Sequence, residues 1–456
     1  MRKISIIFLI VNLILCLYFV DIWSNAQNNS RGLPIVSFFE SGNLHFDKYQ
    51  NKTGDKCIVN NHVYSDKAPF PTFVVLPFYG VLYKLNVFKA NRVEESFILT
   101  YVLGGLLCGV LPFFLIIWLT FKNVLKTKIT KLHFNEIMLV MLPWYGSFLF
   151  VFSGTFFGHL FAGSIMLCAY IMLKKQNYLF CGFLAGLSVA SEYTLAVIPT
   201  IWAIQLIVKE KKIKQIILLI LGSSPSILFI LVYNYFITGN ALEFPYKFVS
   251  DDYVAMKTNF GFAHPTFDSL FGLSFSLYRG IFVYMPFLLL VLYTFLKNVT
   301  KYSLKHYLLN PVVLPSIIYF IIISSYFMWW GGWTYGPRHL TAIAIIICYE
   351  AIPYIIKNGY NKIVFWILIF IGFATAFIAK ITLQYSLPSE FKNPLFDLIF
   401  PEFFKGNFNN NNVLSLLFGL NNGTSAIIWI VLFFIGILLI KYVSKMPAKI
   451  NISKKQ

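Results

Sequence analysis

The sequence predicts an all-α polytopic membrane protein: about twelve transmembrane helices in a single membrane domain over 1–456, with a large first outer loop that carries an interfacial helix. Three observations carry this expectation. Of the 456 residues, 58% are hydrophobic and only 12% are charged, about half the charge of a soluble domain, which is too little to cover a water-facing surface. The apolar residues fall in runs close to the ~20 residues that cross a hydrocarbon core. Lysine and arginine cluster in every second connection, as orientation in a bilayer requires.

The spans read as 4–23, 97–120, 136–153, 156–173, 178–192, 194–208, 216–237, 277–296, 312–328, 340–356, 363–383 and 425–440, the fifth and sixth being short. Basic clusters lie at Arg2 and Lys3, Lys122 to Lys131, Lys174 and Lys175, Lys209 to Lys214, Lys297 to Lys305, Lys357 and Lys362, and Lys441 to Lys455. The cytoplasmic loops and tails that they mark hold 22 of the 37 Lys and Arg but only Glu136 and Glu210 of the 18 acidic residues. The net charge of +19 is therefore an orientation signal that puts both termini in the cytoplasm, and no nucleic-acid partner is expected. The first apolar stretch precedes Ser24-Asn25-Ala26, which resembles a cleavage site, but it is longer than the ~7–15 residues of a signal-peptide core and reads as a retained span.

The opposite face carries the long connections, 24–96, 238–276, 329–339 and 384–424, and long connections in compact proteins tend to be functional or disordered. The run Asn407 to Asn412 reads as low-complexity and flexible. Six scattered cysteines offer neither a disulfide framework nor a metal spacing. Motifs of soluble catalysis such as a P-loop or G-x-S-x-G are absent.

The first loop concentrates four carboxylates, Glu40, Asp47, Asp55 and Asp66, together with His45 and His62, in a chain that otherwise avoids charge. Taken singly, each also fits a merely solvated loop. The apolar segment at 69–85 follows, broken by Pro69, Pro71 and Pro77, a poor spanning helix and a better interfacial one. Such a helix beside carboxylates suits a lipid-borne substrate, whose chain stays in the bilayer while its head group reaches the loop.

The order of first span, acidic loop, Tyr64-Ser65-Asp66-Lys67-Ala68-Pro69 and proline-broken helix resembles the bacterial membrane glycosyltransferases of the GT-C superfamily, relatives of the protein O-mannosyltransferases and of the lipid A aminoarabinose transferases. Phe157-Gly158-His159, Ser191-Glu192-Tyr193-Thr194, Tyr278-Arg279-Gly280-Ile281-Phe282 and Trp330-Gly331-Gly332-Trp333-Thr334-Tyr335-Gly336-Pro337-Arg338-His339 extend it to about residue 340. One departure stands out: where superfamily members commonly carry an acidic pair ahead of an Arg or His, this chain has Asn28-Asn29-Ser30-Arg31.

The resemblance implies a bacterial inner-membrane enzyme that moves a sugar from a polyprenyl-phosphate donor to a lipid, glycan or protein acceptor. That chemistry needs a carboxylate to take the acceptor proton and a cation to stabilise the departing phosphate. For the base, Asp55 and Asp66, each with a lysine next in sequence, are preferred to Asp47 and Glu40. For the phosphate, Arg338 is preferred, with Lys67 and Arg279 as helpers, although an interfacial anchor in an aromatic belt also explains Arg338. Glu192, an acid between apolar runs, orients the acceptor or a metal, or is a helix-end charge. Tyr193, His339 and Arg31 complete the expected substrate-binding set, and His159 is expected to pack between helices. No cofactor is demanded; a divalent metal fits two or more acidic residues without any ligand spacing that requires it. A transporter or lipid-linked glycan flippase is the competing reading, which would favour charged residues inside spans and short loops.

Overall fold

A computed structural model describes residues 2–85, 93–126, 132–210, 213–249, 255 and 259–445. The first loop's end at 86–92 and several lysines of the basic pattern, among them Lys128, Lys131, Lys211, Lys212, Lys449, Lys454 and Lys455, lie outside the described residues.

The chain is a bundle of helices, and helix covers part of every expected span. Among the described residues, five helical stretches, Glu94–Lys126, Ile213–Thr238, Arg338–Asn358, Lys362–Ile381 and Asn422–Lys445, are long and apolar enough to cross a membrane. Others are shorter, such as Gly158–Lys174, Tyr178–Ser191 and Val313–Ser324. Two expected spans are divided. Gly146 and Ser147 separate Phe134–Tyr145 from Phe148–Phe152. Met285, at φ −148° and ψ 70°, separates Ile281–Tyr284 from Phe287–Asn298. Pro286 follows it, and a proline both lacks an N–H and pushes its predecessor out of the helical region.

The bundle has two chemically different ends. In the Gly158–Lys174 helix, His159 opens the first turn and Lys174 closes the last. The Thr341–Asn358 helix follows Arg338 and His339 and runs alongside, so that Lys174 Nζ lies 2.6 Å from Glu350 Oε1 at one end while the His159 and His339 rings stand 5.1 Å apart at the other. The first helix, α1 (Arg2–Leu17), and the last, Asn422–Lys445, are antiparallel: Tyr18 O–H donates to Ser425 O at 2.6 Å and Trp429 Nε1–H to Leu15 O at 3.2 Å.

The first loop is folded. A helix that the sequence reading did not anticipate, α2 (Ala26–Ser41), starts where Asn25 accepts from the Asn28 N–H at 3.0 Å and stops at Gly42 in the left-handed region. A two-turn 3-10 helix, Asp47–Lys52, leads to a hairpin of β1 (Lys56–Val59) and β2 (His62–Ser65), turned by Asn60 and Asn61, both at positive φ. Then comes α3 (Phe70–Lys84), with Pro71 in its first turn, where the missing N–H costs nothing, and Phe78 and Val81 exposed.

The asparagine run, expected to be flexible, is instead a buried strap. Asn409 Nδ2 donates to Lys380 O at 2.9 Å and Thr382 O at 2.7 Å; Asn411 accepts the Ile22 N–H at 3.2 Å and donates to Gln384 Oε1 at 2.5 Å. Asparagine suits this place because one side chain both donates and accepts, so a single residue ties two irregular backbones together. Replacing Asn411, fully buried, by alanine strands those partners and is expected to cost about 1–3 kcal/mol, read as a lower thermal midpoint in detergent. Asn407→Ala, at an exposed position, stays within about 0.5 kcal/mol of the parent.

Candidate active site

The polar end is organised by α2. Three of its residues, Gln27, Ser30 and Arg31, are spaced to meet one neighbourhood, and each holds an ionised partner or its chain of contacts. Arg31 Nη2 lies 3.3 Å from Glu192 Oε1, and its Nη1 donates to Gln27 Oε1 at 2.5 Å. Gln27 Nε2 passes the contact on to Asp55 Oδ2 at 2.9 Å, and Ser30 Oγ donates to Asp66 Oδ1 at 3.3 Å. Lys67 closes the network, with Nζ 3.1 Å from Asp55 Oδ2 and 3.1 Å from Asp66 Oδ2.

Local structure explains how these groups meet. Asp55 precedes β1 and its backbone N–H donates to Thr53 Oγ1 at 3.0 Å, while Thr53 O–H donates to Ala26 O at 3.0 Å, so the strand entrance is tied to the start of α2. Asp66 and Lys67 leave β2 immediately before α3. Glu192 caps the break between the Tyr178–Ser191 and Val197–Glu210 helices. Gly158 makes room for the ion pair: a Cβ there would lie 2.6 Å from Glu192 Oε1 and 2.7 Å from Arg31 Nη2.

Burial governs the protonation of this group. Desolvation pushes the Asp66 carboxyl above the usual aspartate range, against the Lys67 charge and with the help of neighbouring Asp55. For Lys67, desolvation works against the ammonium, but Asp55 and Asp66 outweigh it and hold its pKa above that of an ordinary lysine. The ammonium occupies the position between the two carboxylates that a bound dication would need, so this pair does not fit a metal.

Arg338 is placed differently. It is 9% exposed, its guanidinium sits 5.6 Å from the centre of the Phe157 ring, and it forms no ion pair among the described residues. Arg338 Nε, Arg31 Nε, His339 Nε2 and the Tyr193 hydroxyl are buried without a protein partner among the described residues. Buried polar atoms are nearly always satisfied, so these point to a polar guest or water. Tyr193, Phe244 and Tyr246 pack edge to face beside them, with ring centres 5.1 and 6.0 Å apart.

Arg279 is engaged otherwise than expected. Its guanidinium donates to Trp330 O at 3.0 Å and Gly332 O at 3.1 Å, carbonyls of the loop that carries Arg338, and to the neighbouring Tyr278 O at 2.8 Å. That loop turns at Gly331 and Gly336, both at positive φ, and at Gly336 a Cβ would also meet Tyr284 and Phe148 at 3.0 Å.

Of the residues singled out in the sequence, Arg31, Asp55, Asp66, Lys67, Glu192, Tyr193, Arg338 and His339 come together. Glu40 and Asp47 do not: Glu40 accepts from Tyr49 O–H at 2.7 Å and pairs with Lys48, and Asp47 faces His45 and His62. Sequence reasoning missed Gln27 and Ser30, whose uncharged side chains gave no signal, and set His159 aside, although its Nδ1 is 3.6 Å from Glu192 Oε1. It also missed Asp21, fully buried after α1, which accepts from Tyr385 O–H at 2.5 Å, Asn28 Nδ2 at 2.7 Å and the Trp23 N–H at 2.9 Å. An aspartate directly after an apolar run was the available signal.

Arg279→Ala strands three carbonyls at once and is expected to lower stability by about 3 kcal/mol or more in a thermal melt. Arg338→Ala removes no ion pair among the described residues, only a ring contact with Phe157, and is expected to lower the melt less than Arg279→Ala, so equal losses in the two variants would merge their roles.

No protein-family model matches the sequence, and no curated protein matches it. Among solved structures, the crystal structure of ArnT from Cupriavidus metallidurans bound to undecaprenyl phosphate is similar to this chain, at 13% identity and a TM-score of 0.47, over 97% of this chain and 76% of that one.

Proposed function

We propose that this protein transfers a sugar, a hexose or a pentose, from a polyprenyl-phosphate-linked donor to a hydroxyl of a lipid, glycan or protein acceptor at the outer face of a bacterial inner membrane. One observation carries the reading: a lysine-bridged carboxylate pair, Asp55 and Asp66, stands at the same end of an apolar bundle as the buried guanidinium of Arg338, which forms no ion pair among the described residues. The outer-face assignment is supported by the basic helix ends, Lys174 and Lys357 among them, which lie away from that cluster.

In this reaction the acceptor hydroxyl loses its proton to Asp66 or Asp55 as its oxygen bonds to the anomeric carbon. The bond from that carbon to the phosphate oxygen breaks, and the electron pair leaves with the lipid phosphate. Arg338, with Lys67 and Arg31 behind it, meets the charge that develops there, in a partly dry site where a preset cation is worth more than in water. The donor lipid lies along the exposed apolar residues Phe78 and Val81 of α3. Glu192, held by Arg31, and Tyr193 line the acceptor side.

Asp66→Asn and Asp55→Asn are each tested in membranes with a labelled polyprenyl-phosphate sugar. Loss of the general base is expected to lower transfer by about 10²–10⁴-fold in at least one of them. Full activity in both removes the assignment, and labelled lipid that changes leaflet without glycan transfer favours a flippase. Arg338→Lys is expected to raise the donor KM and lower kcat together, since a lysine cannot reproduce a bidentate phosphate contact.

The pH profile follows from Asp66. A general base works unprotonated, so activity is complete well above the folded pKa and falls as pH drops through it. Because burial raises that pKa, the acid limb of kcat/KM is expected above the ~4 of an ordinary aspartate. An acid limb left in place in Asp66→Asn would transfer the role to Asp55.

A further inference from the structure

We propose that His45, Asp47 and His62 form a binding site for a divalent transition-metal ion, zinc above all, that clips the first loop closed. The three side chains converge outside the Lys67 network. His62 Nδ1 lies 2.7 Å and His45 Nδ1 3.0 Å from the same Asp47 oxygen, Oδ2. The two imidazole rings stand 4.2 Å apart, tilted by 31°. One ligand atom from each residue lies within 4.8 Å of the others. Tetrahedral zinc, with bonds of ~2.0–2.2 Å to nitrogen and carboxylate oxygen, needs ligand atoms about 3.4 Å apart, so His62 Nδ1 and His45 Nδ1 must each draw back from Asp47 Oδ2, by about 0.7 and 0.4 Å, to admit the ion. Two imidazoles and one carboxylate are a donor set that suits zinc better than calcium or magnesium.

The site is built rather than accidental. The second Asp47 oxygen, Oδ1, accepts the Val63 N–H at 2.6 Å, and the Phe46 N–H donates to Val63 O at 2.9 Å, so the segment bearing His45 and Asp47 is docked on β2 before any ion arrives. Such outer contacts orient ligands and sustain affinity. The open side faces water: the side chains of His62 and Asp47 are 48% and 37% exposed. On binding, the ion comes between the two Nδ1 atoms and Oδ2, with each imidazole ligating through Nδ1 and carrying its ring proton on Nε2.

The ligands bracket a loop. Asp47 and His62 are 15 residues apart, and the chain between them carries Asp55 to Lys67. An ion there fixes both ends of the segment that presents Asp55.

The protein, without an affinity tag and stripped with EDTA, is titrated with zinc chloride in detergent by calorimetry, and bound zinc is counted by mass spectrometry after dialysis. One zinc per chain is expected for the parent, with affinity falling by at least about tenfold in His45→Ala, His62→Ala and Asp47→Asn. Zinc is also expected to slow amide hydrogen exchange across 47–63. Each variant is first checked for an unchanged elution profile, since these residues are partly exposed. No zinc in the parent, or parent-like binding in all three variants, overturns the site; so does zinc lost in His159→Ala but kept in these three, which places the ion in the Glu192 cluster. These readouts need neither donor nor acceptor, so their failure is distinct from failure of the transfer reading.

Discussion

A carboxylate at the end of an apolar bundle keeps its charge only when a cation is held against it, and Lys67, 3.1 Å from both Asp55 and Asp66, meets that requirement for the whole polar end. The rest of the site follows from keeping this arrangement solvated by protein. Asp55 belongs to the entrance of β1, Asp66 to the exit of β2, and both must reach one ammonium, which fixes the hairpin against α2 through Gln27 and Ser30. The same helix face then carries Arg31 to Glu192, which draws in the helix break at 192 and, through His159, the start of the Gly158–Lys174 helix. A network closed in this way is stable only if every member is satisfied, because a half-made one leaves charges in a low dielectric.

Two arginines separated along the chain but joined through one loop show the difference between structure and readiness. Arg279 spends its donors on three carbonyls and so shapes the glycine-bearing turn from Trp330 to Gly336. Arg338, at the end of that turn, keeps its Nε buried and without a protein partner among the described residues. Evenly satisfied donors hold a loop; unsatisfied buried ones are costly unless something else binds them.

Much of this was legible in the sequence, for identifiable reasons. Hydrophobic runs and lysine placement are global signals, and helices appear in every expected span. The proline and lysine pattern around Asp66 and the Gly-Pro-Arg-His order likewise led to residues that meet in space. What escaped was whatever depended on tertiary partners. Polar Gln27 to Arg31 followed by Pro34 looks like loop, and only burial against the bundle makes it helix. The asparagine run looks disordered until the irregular backbones it satisfies are in place. Met285-Pro286 does carry a local break signal, which the apolar run around it hid. Charge alone also does not sort Arg279 from Arg338, since the distinction lies in which carbonyls stand nearby.

Charge balance joins the geometry to the proposed chemistry. Asp55, Asp66 and Glu192 face Arg31, Lys67 and Arg338, as many carboxylates as cations. Burial already favours the neutral form of Asp66. When the acceptor proton moves to that carboxylate, the cluster gains one positive charge at the moment the departing lipid phosphate gains one negative charge. In the proposed reaction the proton acceptor and the phosphate cations reinforce each other: neutralising Asp66 frees Lys67 from half of its pairing, so that the ammonium can join Arg338 in holding the leaving group. A base with an ordinary, low pKa would keep its proton less readily and leave Lys67 bound to it. The raised pKa of Asp66 is thus matched to transfer of charge within the site, and its origin is the same apolar burial that makes the chain a membrane protein.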